Sequence, residues 1–561
     1  MQIVRRPVAA MLLLACCIRF SVGIPSVLTG KDGTPEDILV EFGVVEAVEE
    51  LCSRRVTAVR YAEALLQRAA KHRCINAYAH VENYQVLKEA RAIDERFEAG
   101  EDIRPLCGLA FVVKDNLDVL GYPTEAGTPA LRGRMPCNSS ALVARLLNAN
   151  GIVLGKTRMH ELAMGATTIN PNGGPVLNPH NNLMHVGGSS GGTAASVAMR
   201  LAPAGFCSDS AGSCRIPASL TGVVGFRPTT GYWNAADGIV PMSVTRDTVG
   251  VNARTVSDVK LLNNIFSDGP KEYKDVDVST LRLGYPVNFW RDVGDETKAA
   301  FAAAVDALRG AGVEIVEMDM SLLESLADEF TPGMMFFTYE MPREISRYVY
   351  QHGYNLSMPE LVDKIASPTV KASMTEWTYK KLDSFPTPTD YANALASGLP
   401  QLKALWESYH DAFGLDALLV PATIATARPI SDVEPYMSVN GKKGNFLSVY
   451  IRTTLIDCTI GVPGLSIPVG LAADKLPIGI MLQGKPGSDA SILSIGEALQ
   501  PLFASTPAPS EEQACAGCMP GVKVVNVTWD GQGQPSKTDT TSQYELTLSG
   551  KCKLQSLSHL S

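Results

Sequence analysis

Short apolar runs and helix-period stripes alternate along most of this chain. LAFVV ends at Lys114-Asp115 and reads as a buried strand. Residues 142–150 have the apolar spacing of a helix, Gly151 is expected to stop it, and 152–154 open another strand. The same grammar returns where Phe301, Val305 and Leu308 form a helical stripe, Gly312 ends it and VEIVEM follows. Further buried strands are predicted in LDALLVPAT near Leu415, and in LSIPVGL and PIGIMLQG after Cys458. Helices alternating with buried strands predict an α/β fold whose central sheet is covered on both faces. Beyond Pro507 the pattern changes. Ser, Thr, Gly and Lys become frequent, and VKVVNVTW and YELTLSG alternate with period two, which predicts a small β-rich extension of unknown role over 508–561.

The N-terminus obeys another rule. Arg5-Arg6 precede the apolar run VAAMLLLACCI, and Ser21 and Gly23 are small where a signal peptidase would cut, so 1–23 read as a secretory signal peptide. No other window supplies the roughly 18 uninterrupted apolar residues that a spanning helix needs. The expected product is therefore secreted or lumenal, with no stable membrane insertion once the signal is removed. An oxidising route lets the 12 cysteines pair. Cys16 and Cys17 lie in the signal, a disulfide from Cys552 to Cys515 or Cys518 is expected, and Cys207 and Cys214 are read as buried thiols. Asn138-Ser-Ser, Asn355-Leu-Ser and Asn526-Val-Thr are glycosylation acceptor patterns.

Composition narrows the partners. A chain of 561 residues, 45% hydrophobic and 19% charged, can bury a large core. Its 58 acidic against 49 basic residues give no hint of a basic surface, so nucleic acid is not expected as a partner.

The candidate chemistry lies in three separated pieces: Lys114 in FVVKDNLDV, the serine pair Ser189-Ser190 in VGGSSGGTAAS, and Ser213 in SDSAGSCRIPA. Glycines crowd the serines, so the backbone can turn there and expose peptide N–H groups. Donors aimed at one point stabilise the oxyanion of an acyl-transfer intermediate, which gives a serine nucleophile a purpose. A serine hydroxyl still needs a base to take its proton. Lys114, at the end of a buried strand, is the candidate, because desolvation lowers a lysine pKa. Alone, a lysine after an apolar run is commonly a solvated strand end, and a GGSSGG run is commonly a flexible loop. It is the ordered combination that carries the reading.

That combination resembles the amidase signature hydrolases over residues 105–259, in PLCGLAFVVKDNLDV, GKTRMHELAMG, GGSSGGTAAS, DSAGSCRIPASLTGVVGFRPTTG and TRDTVG. The resemblance implies one large mixed sheet sandwiched by helices, so that about 37–505 form the catalytic domain. It makes Ser213 the nucleophile, Lys114 the terminal base and Ser189, after a cis peptide bond, the residue that bridges them. The family spacing fits Ser189 and leaves Ser190 one residue out of register, as a supporting hydrogen-bond partner. The implied oxyanion hole is the backbone N–H groups of Ser210, Ala211, Gly212 and Ser213, with Asp209 and Arg215 holding the loop. The family usually has two glycines before the nucleophile, and Ala211 departs from that. A positive φ there would cost about 1 kcal/mol. His160 is expected to be a packed residue on a helix after the 152–154 strand.

Two competing motifs are set aside. Gly187 to Gly191 also fit the G-x-S-x-G elbow of α/β-hydrolases, but that fold needs a later acid and histidine, and the later histidines, His352, His410 and His559, stand in no recognisable histidine loop. Cys515, Cys518 and Cys552 with His559 lack a dependable zinc spacing. No metal or organic cofactor is implied. The wording is most similar to the branch of indoleacetamide and mandelamide hydrolases, which implies a small aryl or alkyl primary amide as substrate. Carbamate, ester or N-acyl amine hydrolysis, and a catalytically silent ligand-binding relative, are the alternatives. The stretch 330–396, with its FTPGMMFFTYEM, suits an apolar pocket wall, though such runs are more often simply core, and no single contact is assigned in it. A homodimer would be ordinary for such an enzyme, though no residue demands it.

Overall fold

The structure is a computed structural model that describes residues 36–510 and 514, apart from 234–236, 269–270, 332–333, 380–385 and 433–435. The expected signal peptide, nearly all of the expected C-terminal extension and the Cys552 pairing fall outside the described residues.

The described strands are β1 (Tyr78–His80), β2 (Ala110–Lys114), β3 (Ile152–Thr157), β4 (Leu177–Asn178), β5 (Asn181–His185), β6 (Ala204–Asp209), β7 (Val224–Arg227), β8 (Thr248–Ala253), β9 (Arg282–Pro286), β10 (Glu314–Met318), β11 (Ala417–Pro421), β12 (Tyr436–Val439), β13 (Lys442–Asn445), β14 (Gly464–Leu471) and β15 (Pro477–Gln483). Eleven of them form one mixed sheet in the order β1-β3-β2-β6-β8-β7-β14-β15-β11-β9-β10, while β4-β5 and β12-β13 are separate two-stranded ribbons. Every residue of β2, β3, β6, β7, β8 and β11 is buried. A strand buried on both sides must be covered on both faces, which is why these sequences are continuous apolar runs rather than alternating ones. The edge strands are less covered, with β1 partly buried throughout and two residues of β10 exposed.

The helices begin and end where local chemistry allows. Thr57 caps the helix Ala58–Lys71 by accepting from Arg60 N, and Thr255 with Asp258 forms a capping box on Val256–Phe266. The stripe containing Phe301, Val305 and Leu308 is the buried face of the helix Asp295–Gly310, which crosses between the parallel strands β9 and β10. The helix Ala141–Asn148 ends differently from expectation. The left-handed residue that turns the chain toward β3 is Asn150, at φ 59°, and not Gly151.

One topological fact positions the site. β2 and β6 are parallel neighbours, with Val112 opposite Gly205 and Val113 opposite Phe206. Their C-terminal ends therefore emerge side by side, where open α/β sheets place their ligands. Lys114 ends one strand and Asp209 ends the other. Two fully buried helices start near that edge, Gly191–Ala198 directly after Ser189-Ser190 and Arg215–Thr221 just after Ser213.

Candidate active site

Lys114 is fully buried, and its Nζ donates to Ser189 Oγ at 2.7 Å and to Ser208 Oγ at 2.8 Å. Burial lowers its pKa from the ordinary lysine value to about 7, although the charges of Asp209 and Asp247 pull the other way. Asn116 Nδ2 also donates to Ser208 Oγ, at 3.1 Å. The Gly188–Ser189 peptide is cis. Ser190 donates its Oγ to Ser208 O at 3.2 Å and its N–H to Ser213 O at 3.1 Å, tying the two serine loops together. Ser189 and Lys114 are wholly covered, whereas Ser213 keeps 9% of its surface, so of the three only Ser213 meets an incoming molecule.

The loop between β6 and Ser213 is held from several sides. Asp209 accepts from Gly212 N at 2.7 Å and Cys214 N at 3.2 Å, and from Arg215 Nε at 3.0 Å and Nη2 at 3.1 Å. Burial opposes its ionisation, but the Arg215 guanidinium holds the carboxyl well below the usual range. Arg215 also binds Asp457, and Arg227 Nε lies 3.7 Å from Asp209, so two buried carboxylates face two buried guanidiniums. Thr454 Oγ1 donates to Ala211 O at 2.7 Å, and Ser210 Oγ donates to Asp247 Oδ1 at 2.5 Å. Burial lifts the Asp247 carboxyl to about 6.

Several expectations are corrected here. Ala211 does not occupy the left-handed region, so its departure from glycine carries no strain. Gly212 does, at φ 101°, and a Cβ there would stand 2.4 Å from Thr454 Oγ1. The Gly212 N–H is engaged by Asp209, so among the described residues the backbone donors left without a partner near Ser213 are those of Ser210, Ala211 and Ser213. Cys207 and Cys214 are not thiols. They are joined as a disulfide, because the turn from β6 into the helix Arg215–Thr221 brings their Cα atoms to 5.3 Å. His160 lies ahead of a single 3₁₀ turn, Glu161–Ala163, rather than on a helix. It is buried, with Nδ1 3.2 Å from Thr167 Oγ1 and its pKa pressed to about 4 by burial.

An apolar cluster adjoins the loop. It packs Ala211 with Met159, Leu162, Val240, Met242, Phe337 and Met341, and further with Tyr450. Phe337 and Met341 come from the helix Met335–Gln351, in the expected stretch, whereas Met335 and Phe336 turn away to pack with Ala394. Ser208, Asp247 and Thr454 escaped the sequence reading. The first two stand inside quoted motifs, next to Asp209 and within TRDTVG, and that was the available signal. Thr454 stands in none, and only the fold brings it to the loop.

His80, Asp115 and Glu125 are close enough to share a cation. Lys156 Nζ, 3.3 Å from Asp115, already supplies a buried cationic partner there, and His80 Nε2 lies 3.4 Å from Glu125, so these side chains contact one another without an ion.

A mixed sheet that delivers a buried lysine and two serine loops to one edge suits acyl transfer, and comparison with known proteins fixes the kind of enzyme. The chain belongs to the Amidase family, whose model matches residues 60–493, and it is an amide hydrolase. Over 460 residues it is 34% identical to the indoleacetamide hydrolase of Agrobacterium vitis, an alignment covering 82% of this chain and 96% of that one. Over 485 residues it is 33% identical to the mandelamide hydrolase of Pseudomonas putida, covering 84% and 93%. A crystal structure of an amidase superposes with a TM-score of 0.73 at 30% identity, covering 82% of this chain and all of the other. The peptide amidase of Stenotrophomonas maltophilia shares the fold, with a TM-score of 0.70 at 24% identity, covering 84% and 98%.

Proposed function

We propose that this amidase cleaves a primary amide of an aryl-acetic type acid through an acyl-enzyme on Ser213, with Ser189 and Lys114 as the proton relay. The observation that carries the reading is the buried 2.7 Å contact between Lys114 Nζ and Ser189 Oγ, with the lysine pKa near 7. Such a lysine is neutral in a large share of molecules at neutral pH and can accept a proton as readily as donate one. Lys114 takes the Ser189 proton while Ser189 takes that of Ser213, and the freed Ser213 oxygen attacks the amide carbon. The Ser189–Ser213 link closes as substrate seats, since catalytic hydrogen bonds tighten in the bound complex. The developing oxyanion falls to the three open N–H groups of Ser210, Ala211 and Ser213. As the C–N bond breaks, Lys114 returns its proton through Ser189 to the departing ammonia. Water then repeats the relay and releases the acid.

The aryl preference rests on the methionines and aromatics packed with Ala211 and on the names of the two relatives above. A secretory destination is supported by the cysteines. Cys52, Cys74, Cys107, Cys137, Cys207 and Cys214 are all disulfide-bonded, and among the described residues only Cys458 is free. That pattern suits an oxidising compartment. Asn138 and Asn355, in two of the acceptor patterns, are exposed.

A fluorophosphonate tests the nucleophile directly. The label is expected on Ser213 by peptide mass mapping and absent from Ser213→Ala. Labelling of another serine, or none in the wild type, would overturn the assignment.

A further inference from the structure

The nucleophile loop carries a covalent tie that amide hydrolysis does not itself require. Cys207, in β6, is bonded to Cys214, the residue after Ser213, with their Cα atoms 5.3 Å apart. The closed ring contains Asp209, Ser210, Ala211, Gly212 and Ser213, which together are the loop's carboxylate anchor, its open N–H donors and the nucleophile. β8 leaves room for the bridge. Gly250 stands opposite Cys207 in the ladder, and a Cβ on it would lie 3.2 Å from Cys214 Sγ and 2.2 Å from Phe226 O. One end of the ring is thus fixed in the sheet, and the other at the start of the helix Arg215–Thr221.

The remaining anchors are hydrogen bonds, from Thr454 to Ala211 O, from Ser210 to Asp247, and from Gly212 N and Cys214 N to Asp209. Gly212 is the joint with the most conformational freedom among them. Donors stabilise an oxyanion strongly only when they are aimed before the reaction begins. We propose that the Cys207–Cys214 disulfide is a positioning element for the amidase reaction. It fixes the span that presents Ser213 and its N–H donors, so that turnover depends on the bond being oxidised. The inference rests on Ser213 as the nucleophile.

Opening the bridge takes two electrons and two protons from a dithiol. One reductant thiolate attacks a bridge sulfur and breaks the S–S bond, the second displaces the mixed disulfide, and a cyclic disulfide leaves two protein thiols behind. Both cysteines are fully buried, so in the folded enzyme this step waits on opening of the loop. A chain made in a reducing compartment would carry the two thiols from the start.

The test uses the full chain with an aryl-acetamide that the wild type hydrolyses. The Cys207→Ala/Cys214→Ala variant is expected to lose about tenfold or more in kcat with KM held within about twofold, and to take up fluorophosphonate correspondingly slowly. A Cys52→Ala/Cys107→Ala variant, lacking a bridge remote from the loop, is expected to melt earlier while keeping its kcat. Should the double variant fail to fold, wild type treated with dithiothreitol serves instead. Its activity should fall as the two thiols appear by mass spectrometry and return on reoxidation. An unchanged kcat in the variant, or full activity with both thiols free, would overturn the proposal. Wild-type silence on every amide would count against the catalytic reading alone. The labelling rate then decides this one, and equal labelling of variant and wild type would overturn it.

Discussion

At the scale of single residues, the site is a balance between burying charges and pairing them. Among the described residues Lys114 Nζ meets two hydroxyls and no carboxylate, so burial wins and the base is near half-neutral at pH 7. The neutral form is the active one, so kcat/KM should climb as pH rises through about 7 and level off above it, and Lys114→Ala should abolish the climb. A flat profile from pH 5 to 9 in the wild type would remove Lys114 as the base. Asp209 stands at the opposite pole. It lies between two buried guanidiniums, Arg215 and Arg227, so Asp209→Asn leaves Asp457 alone to balance both, with an expected loss of about 3–5 kcal/mol in a denaturant melt and a matching loss of activity. Lys114, Ser189 and Ser213 were legible in the sequence because each sits in a motif with its own glycine or apolar signature. Ser208 and Asp247 were not, because a serine or aspartate announces a partner only once the fold brings that partner near.

At the scale of elements, the helix Met335–Gln351 links the apolar wall to the strand that carries the base. Near its C-terminal end Tyr348 OH donates to Asp118 Oδ1 at 2.8 Å, and just beyond it His352 Nε2 lies 2.8 Å from Asp118 Oδ2, four residues past Lys114. Burial disfavours the charged imidazole, but the Asp118 hydrogen bond prevails and raises His352 above its ordinary 6.5. A raised pKa means the tie stabilises the fold fully at pH values below 6.5 and is lost as pH rises through the folded-state value. Thermal melts should therefore show a stability advantage of wild type over Asp118→Asn that shrinks on going from pH 6 to pH 9. An advantage that grows with pH would contradict the pairing. The sequence left this stretch open between core and pocket wall and could not divide it. Helical geometry sends Phe337 and Met341, four apart, to one neighbour and Phe336 to another, and periodicity alone cannot say which neighbour is which.

At the scale of the whole molecule, the order of strands does what no local pattern could. Apolar runs revealed which segments are strands, and their continuous character revealed a covered sheet. The parallel pairing of β2 with β6 is a long-range fact, and it sets the base beside the nucleophile loop. The Cys207–Cys214 bridge was missed for the same reason, since seven residues of separation allow a bridge or two thiols and only the turn out of β6 decides. The central claim is that this assembly is a serine-lysine amidase. Ammonia release from indole-3-acetamide, mandelamide and benzamide tests it most directly, with wild type beside Ser213→Ala and Lys114→Ala. Release by wild type that vanishes in both variants is the expected result. Release that persists in Ser213→Ala would contradict the account.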